Sequence, residues 1–249
     1  MRAPLFLSFA HPDDESFLAG GTICRYAGDG VRVVLSSATR GEAGKAGDPP
    51  ACAPEELPAL RGSGRRFAVA TLGAAHLHLL GYRCRALAGA DPDRIRKQLV
   101  EIIRTERPAV VLTFDPNGAN LHPDHVAISR FTSDAVAAAA DPRWFPELGR
   151  PHAAQRLVWV SGRHPWEWGR EDEAGSRPGV DFVIDTSRWV DRKLAALGAH
   201  RTQLASVTRH FLRHPDRELL LGREFFRQGW GPPLAELPAR DLFEGLSGR

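Results

Sequence analysis

The chain has 249 residues, 43% of them hydrophobic and 25% charged, which is enough apolar content for one large core. Basic and acidic residues nearly balance at 33 and 30, and a net charge of +3 is not that of a dedicated nucleic-acid binder. No apolar stretch reaches the roughly 18 residues needed to span a bilayer. The N-terminal apolar run stops at His11, too early for a secretory leader, so the expectation is a cytoplasmic protein forming one domain over residues 1–249.

Leu5 to Ala10 reads as a buried strand on its length and aromatic content. Glu15 to about Gly28 follows with Phe17, Leu18, Ile23 and Tyr26 near helical spacing, and Gly28-Asp29-Gly30 supplies the stop. Val31 to Ser37 is a second strand, followed by a long loop from Thr39 to Ala53. Pro54 opens a helix through Leu57, Leu60 and Phe67 to Leu72-Gly73, on which Arg61, Arg65 and Arg66 read as a solvated face. His76 to Leu80 is a short strand. Asp91-Pro92 caps a helix carrying Ile95, Leu99, Ile102 and Ile103, and Ala109 to Phe114 is the fourth strand. Pro123 to Ala140 is helical, with Val126, Ile128, Phe131 and Val136 expected in the core. Beyond Asp141-Pro142, Leu157 to Val160 and Phe182 to Ile184 read as strands and Trp189 to Leu204 as a helix, with a tail from Gly229 lying across the body. Cys24, Cys52 and Cys84 form no CxxC pair and read as buried or half-buried thiols rather than a disulfide framework. His152, His164, His210 and His214 read as surface residues, and tryptophans including Trp159, Trp166 and Trp168 as core or rim.

Repeated β-α-β units imply an α/β fold: a Rossmann-like, doubly wound, mostly parallel sheet with helices on both faces. In the common strand order 3-2-1-4-5, strands one and four are neighbours where the order reverses, and ligands bind beyond their carboxyl ends. Two clusters follow those strands: His11-Pro12-Asp13-Asp14-Glu15 and His122-Pro123-Asp124-His125. Each proline suits a first helical position, and both helix N-termini then favour ionised carboxylates in the cleft.

His11 with Asp14, and His122 with His125, are three apart and can converge within a first helical turn. His11, Asp14 and His125 make a three-ligand site for one zinc ion, with a position left for water. Asp13 is placed to serve as the general base, His122 to stabilise an oxyanion, and Asp124 to orient the ring of His122 or His125. Glu15 reads as a first-turn residue complementing the helix dipole. His76 and His78 are read as non-ligands. The same two-His, one-carboxylate set also serves non-haem Fe(II) enzymes, and a non-enzymatic sugar- or nucleic-acid-binding module is the third reading. No GxGxxG follows the first strand, so a dinucleotide site lacks its signature.

The segment AHPDDE at Ala10 to Glu15, with HPDH at His122 to His125, resembles the LmbE-like/PIG-L family of zinc-dependent N-acetylglucosaminyl deacetylases. The likeness extends through Thr39-Arg40-Gly41-Glu42-Ala43-Gly44, Leu79-Leu80-Gly81-Tyr82 and Lys193 with His200-Arg201-Thr202-Gln203. It implies a Rossmann-like fold, the same roles for His11, Asp13, Asp14, His122, Asp124 and His125, and a small amino-sugar conjugate as substrate. It further implies that Arg61 reaches the substrate and that self-association into a homo-oligomer is plausible, while no nucleic-acid or membrane partner is implied. Two departures are visible. The family's Arg-x-x-Glu is Arg61-Gly62-Ser63-Gly64 here, and Cys84-Arg85-Ala86 stands where an aspartate-containing segment is usual.

Overall fold

The computed structural model describes residues 3–160 and 180–247. His164, Trp166 and Trp168 therefore lie outside the described residues. Seven strands form one sheet: β1 (Leu5–Phe9), β2 (Val33–Thr39), β3 (His76–Tyr82), β4 (Val110–Phe114), β5 (Arg156–Val160), β6 (Phe182–Asp185) and β7 (Arg223–Trp230). Their order is β3-β2-β1-β4-β5-β7-β6. The first five run parallel, with Leu5 beside Val33 on one side and Val110 on the other, whereas β7 is antiparallel to both β5 and β6. The fold is α/β and doubly wound, as the alternation of patterns implied.

Parallel strands need crossovers, and the long helices supply them. They are α1 (Asp14–Gly28), α2 (Leu57–Leu72), α3 (Pro92–Glu106), then the short α4 (Gly118–Leu121), α5 (Pro123–Ala140), α6 (Val190–Ala199), α7 (Leu204–Val207) and α8 (Arg217–Leu221). α1, α2 and α6 pack together as one layer, and α3 packs on α5 as the other. Strands buried between two helical layers are apolar at nearly every position, which is why β1 and β4 read as near-continuous runs broken only by the buried Ser8 and Thr113. Asp91 caps α3 by accepting from the backbone N–H groups of Asp93 and Arg94 at 2.9 and 3.3 Å.

Several expectations need correction. β7 falls partly where only a tail was expected, and its charged residues hide it: Glu224, the second residue of the strand, is buried. α1 is non-helical at Ala19, and the freed N–H groups of Gly21 and Thr22 donate to the Glu224 carboxylate at 2.8 and 2.7 Å, with Lys193 donating to it at 2.6 Å. The helix expected over Trp189 to Leu204 breaks at His200, where the backbone turns out of helical geometry. Of the residues expected in the core of α5, Ile128 and Val136 are buried, whereas Val126 and Phe131 are only half-buried. His152 is half-buried with Nε2 2.7 Å from the Pro108 carbonyl, and His76 and His78, two apart on one strand face, stack edge to face.

Two buried arginines tie down irregular chain. Arg104 donates to the carbonyls of Ala138, Ala139, Asp141, Trp144 and Phe145, serving the C-terminus of α5 and the turn beyond it. Arg156 is fully buried and donates to the carbonyls of Leu242 and Glu244, fastening the C-terminal segment against the sheet. The three cysteines are free, Cys24 buried and the others half-buried.

Candidate metal centre and active site

β1 and β4 end side by side, so the loops that start α1 and α5 open on the same edge of the sheet. His11 Nδ1 lies 3.0 Å from His125 Nε2, which brings the two sequence clusters into contact. Asp14 stands with them, its Oδ1 3.5 Å from His125 Nε2 and its Oδ2 3.7 Å from His11 Nδ1. His11, His122 and His125 each offer a ring nitrogen within 4.8 Å of the others, a grouping that can hold a metal ion.

The remaining hydrogen bonds decide which nitrogens are free. His11 Nε2 is 3.0 Å from Asp124 Oδ2, and His125 Nδ1 is 3.1 Å from the Gly118 carbonyl, so in its neutral form each ring directs an N–H at an oxygen and turns its other nitrogen toward the other ring. This is the usual outer support of metal-binding histidines. His122 differs: its Nδ1 accepts the Asp124 backbone N–H at 3.1 Å, capping α5, so the neutral ring carries its proton on Nε2. His11 and His125 can thus each turn a ring nitrogen toward a cation beside the Asp14 carboxylate, whereas the neutral His122 ring offers no free nitrogen. The 3.0 Å between the two ring nitrogens is close to the roughly 3.3 Å expected between tetrahedral ligands held at about 2.0–2.1 Å from a zinc ion, with one Asp14 oxygen near each ring. Gly118 is required here, because a Cβ on it would sit 2.7 Å from the His125 Cβ and its φ is +69°. Phe114, at the end of β4, stacks on the His125 ring at 4.0 Å.

Asp124 departs from expectation, since its carboxylate supports His11 rather than His122 or His125, and it also accepts the backbone N–H groups of Arg85 and Leu87 at 2.6 and 3.2 Å. Burial pushes its pKa up, but the bonds from His11 and these N–H groups hold it below the usual carboxylate range. Asp14 is likewise driven down against burial by the neighbouring His125 and His11. Burial lowers His122, and the two adjacent imidazoles lower it further, so it stays neutral.

Asp13 is held in a conformation rare for any residue but glycine, with φ +130° and ψ −29°. Arg61 donates to its Oδ2 at 2.9 Å and also to the carbonyls of Pro12 and Gly41 at 3.0 and 3.2 Å. Burial raises the Asp13 pKa, Arg61 opposes it, and Asp14 reinforces it. The expected solvated arginine face is thus overturned at two positions: Arg61 is 8% exposed, and Arg65 is 3% exposed with bonds to Ser37 Oγ and the Thr39 carbonyl. At Gly64 there is no room for a side chain, since a Cβ there would lie 2.6 Å from the Ala199 carbonyl oxygen.

A cavity of about 620 Å³ opens on these groups, lined by His11, Asp13, Asp14, Arg61, His122 and His125 among others. A larger depression of about 810 Å³, around Asp185, His214 and Arg217, lies apart from them. Chemistry rather than size selects the first. Sequence reasoning missed the pairing of Glu15 with His200, whose Nε2 lies 3.2 Å from Glu15 Oε1, because no spacing rule links positions so far apart.

A parallel sheet that gathers imidazoles and carboxylates beside a cavity at its switch point defines an α/β enzyme with a metal-binding type of active site. The family model PIG-L, described as GlcNAc-PI de-N-acetylase, matches residues 6–136, and the chain belongs to that family. It is similar to the 1D-myo-inositol 2-acetamido-2-deoxy-alpha-D-glucopyranoside deacetylase of Rhodococcus opacus (strain B4), with 35% identity over 97% of this chain and 98% of that one. Among solved structures, the conserved protein TT1542 from Thermus thermophilus is 26% identical with a TM-score of 0.71, covering 94% of this chain and 97% of that one. The N,N'-diacetylchitobiose deacetylase of Pyrococcus horikoshii shares the fold, at a TM-score of 0.69 and 21% identity over 91% of this chain and 84% of that one.

Proposed function

We propose that the chain, acting as one domain, removes the N-acetyl group from an N-acetylglucosamine-type sugar conjugate, with one zinc ion held by His11, Asp14 and His125. The observation that carries this reading is the convergence of His11 Nδ1 and His125 Nε2 at 3.0 Å, each ring anchored through its other nitrogen. The named activity of the Rhodococcus opacus relative supports the substrate class. Zinc bound there would polarise the amide carbonyl and lower the pKa of coordinated water to about 7.

The chain's own groups then divide the proton work. Asp13 borders the cavity and accepts the proton of the attacking water, then returns it to the departing sugar nitrogen. Its raised pKa, relative to an ordinary carboxylate, suits a group that must both take and give a proton near neutrality. His122, with Nε2 protonated and its ring in the cavity wall, donates to the carbonyl oxygen as negative charge builds on it. Asp124 keeps the His11 ring turned, and Arg61 keeps the Asp13 carboxylate aimed. Arg61 was expected to reach substrate; its bonds to Asp13, Pro12 and Gly41 make holding the base its main task. Lys45, Cys84, Arg85 and Gln203 also line the cavity, and we assign them to the remainder of the conjugate.

A free-amine assay across N-acetylglucosamine conjugates with different aglycones, run with and without chelator, tests the reading. Amine release that stops on chelation and returns with zinc is expected. Release indifferent to chelation, or none from any conjugate, would refute it.

A further inference from the structure

Two buried ionisable groups lie directly behind the active site and take no part in the steps above. Glu15 and His200 are each 4% exposed, and neither borders the cavity. Glu15 Oε2 accepts the backbone N–H of Asp13 at 3.2 Å, and Oε1 accepts the Ser16 hydroxyl at 2.9 Å. His200 closes the cluster, with Nε2 3.2 Å from Glu15 Oε1 and 3.0 Å from Ser16 Oγ. The carboxylate thus grips the one backbone N–H whose residue has φ +130°. Without an acceptor there, that N–H would be buried and unpaired, and Asp13 would be free to relax to an ordinary conformation that aims its carboxylate elsewhere.

The grip is itself anchored from the far side of the helical layer. His200 sits where α6 ends, and the close approach of Gly64 on α2 to the Ala199 carbonyl fixes that end. Burial opposes charge on both partners, yet each sustains the other: the His200 bond and charge hold Glu15 below its ordinary pKa, and Glu15 lifts His200 above its own. Arg65, also buried, lies near enough to add positive charge.

We propose that Glu15 and His200 are positioning residues for the deacetylation, holding Asp13 through its backbone N–H in the strained conformation that points its carboxylate at the reacting water. The inference rests on the reading of Asp13 as the proton acceptor. It assigns work to the last residue of the AHPDDE segment and to the histidine of the HRTQ stretch, which dipole complementation alone does not explain.

The test is a double-mutant cycle in the full chain, loaded with zinc, with amine release measured under single-turnover and steady-state conditions. Supporting residues of this kind typically change activity by about 10–100-fold. Glu15→Ala is expected to lower kcat by about 100-fold, and the isosteric Glu15→Gln and the uncharged His200→Gln by about 10-fold. KM stays within about twofold, and bound zinc stays at the wild-type level. Because Glu15 acts through Asp13, the same substitutions made in Asp13→Asn are expected to add less than about twofold. If Glu15→Ala does not fold, the two glutamine variants carry the test. Unchanged kcat in all of them, a loss confined to KM or zinc content, or an equal loss in the Asp13→Asn background overturns the proposal. Full activity of Asp13→Asn by itself would instead overturn the role given to Asp13, so the two failures are distinguishable.

Discussion

Replacing Arg61 by methionine keeps much of the side-chain volume and removes the guanidinium that faces Asp13. In the structure this group donates three hydrogen bonds, at 2.9 Å to Asp13 Oδ2, 3.0 Å to the Pro12 carbonyl and 3.2 Å to the Gly41 carbonyl. The ion pair is shielded, with side-chain exposures of 7% and 13%, so the small values typical of surface pairs do not apply. Breaking a buried pair from one side leaves an uncompensated carboxylate, which costs about 3–5 kcal/mol. Protonation of Asp13 limits that cost, and the stability loss is expected near its lower end, about 3 kcal/mol by urea denaturation. At about 2–4 °C per kcal/mol for a chain of this size, the melting temperature falls by roughly 6–12 °C. A protonated, untethered Asp13 is a poor base, and kcat is expected to fall by about 100-fold or more at neutral pH. Arg61→Lys, which can keep the charge but not the fork of three bonds, should lie between. Urea midpoints and amine release on the same preparations read both effects. Wild-type kcat in Arg61→Met, or a stability change under about 0.5 kcal/mol, would show that the arginine is the solvated residue its sequence suggested.

His122→Ala should reduce kcat by about 100–1,000-fold, the usual loss for an oxyanion donor, with zinc content unchanged; loss of the bound ion in that variant would make His122 a ligand instead. Arg104→Met strands five backbone carbonyls around the end of α5 and is expected to cost about 3 kcal/mol in urea while leaving amine release per folded molecule intact. Tyr26 donates to Asp241 Oδ1 at 2.8 Å and accepts the Leu242 N–H at 2.6 Å, and burial, with Asp241 beside it, lifts the phenol well above its ordinary pKa of 10.0. An acid whose folded pKa is raised favours the native state while protonated, so its contribution is complete below pH 10 and is lost as pH rises past that value. Urea midpoints at pH 8 and pH 11 should accordingly fall less in Tyr26→Phe than in the wild type, and an equal fall would remove Tyr26 from the account.

The parts of this molecule that were legible in the sequence are those in which one physical requirement dominates. β1 and β4 are buried on both sides by helical layers, so their sequences are almost wholly apolar, and α5 is marked by a proline at its start and an apolar face. Strand order then places His11 beside His125. What escaped detection are residues whose environment is made by distant chain. Arg61 and Arg65 look solvated because nothing in a helical window shows that Asp13, Ser37 and Thr39 wait opposite them. Glu224 disguises β7 for the same reason: its carboxylate belongs to Lys193 and to the kink in α1. The helix expected to continue through His200 stops there, where the imidazole reaches Glu15. Asp124 was expected against the rings of its own helix turn, yet its partner is His11, in contact only through the strand order.

The central claim is that the two His-Pro clusters, assembled by β1 and β4, hold one catalytic cation between His11, Asp14 and His125. Anomalous diffraction at the zinc edge, from crystals of the metal-loaded protein, addresses it directly. The account predicts a single strong peak within about 2.0–2.2 Å of His11 Nδ1, His125 Nε2 and an Asp14 oxygen, with His122 Nε2 outside bonding distance. A peak bonded to His122 in place of Asp14, or zinc bound only elsewhere on the chain, would contradict it.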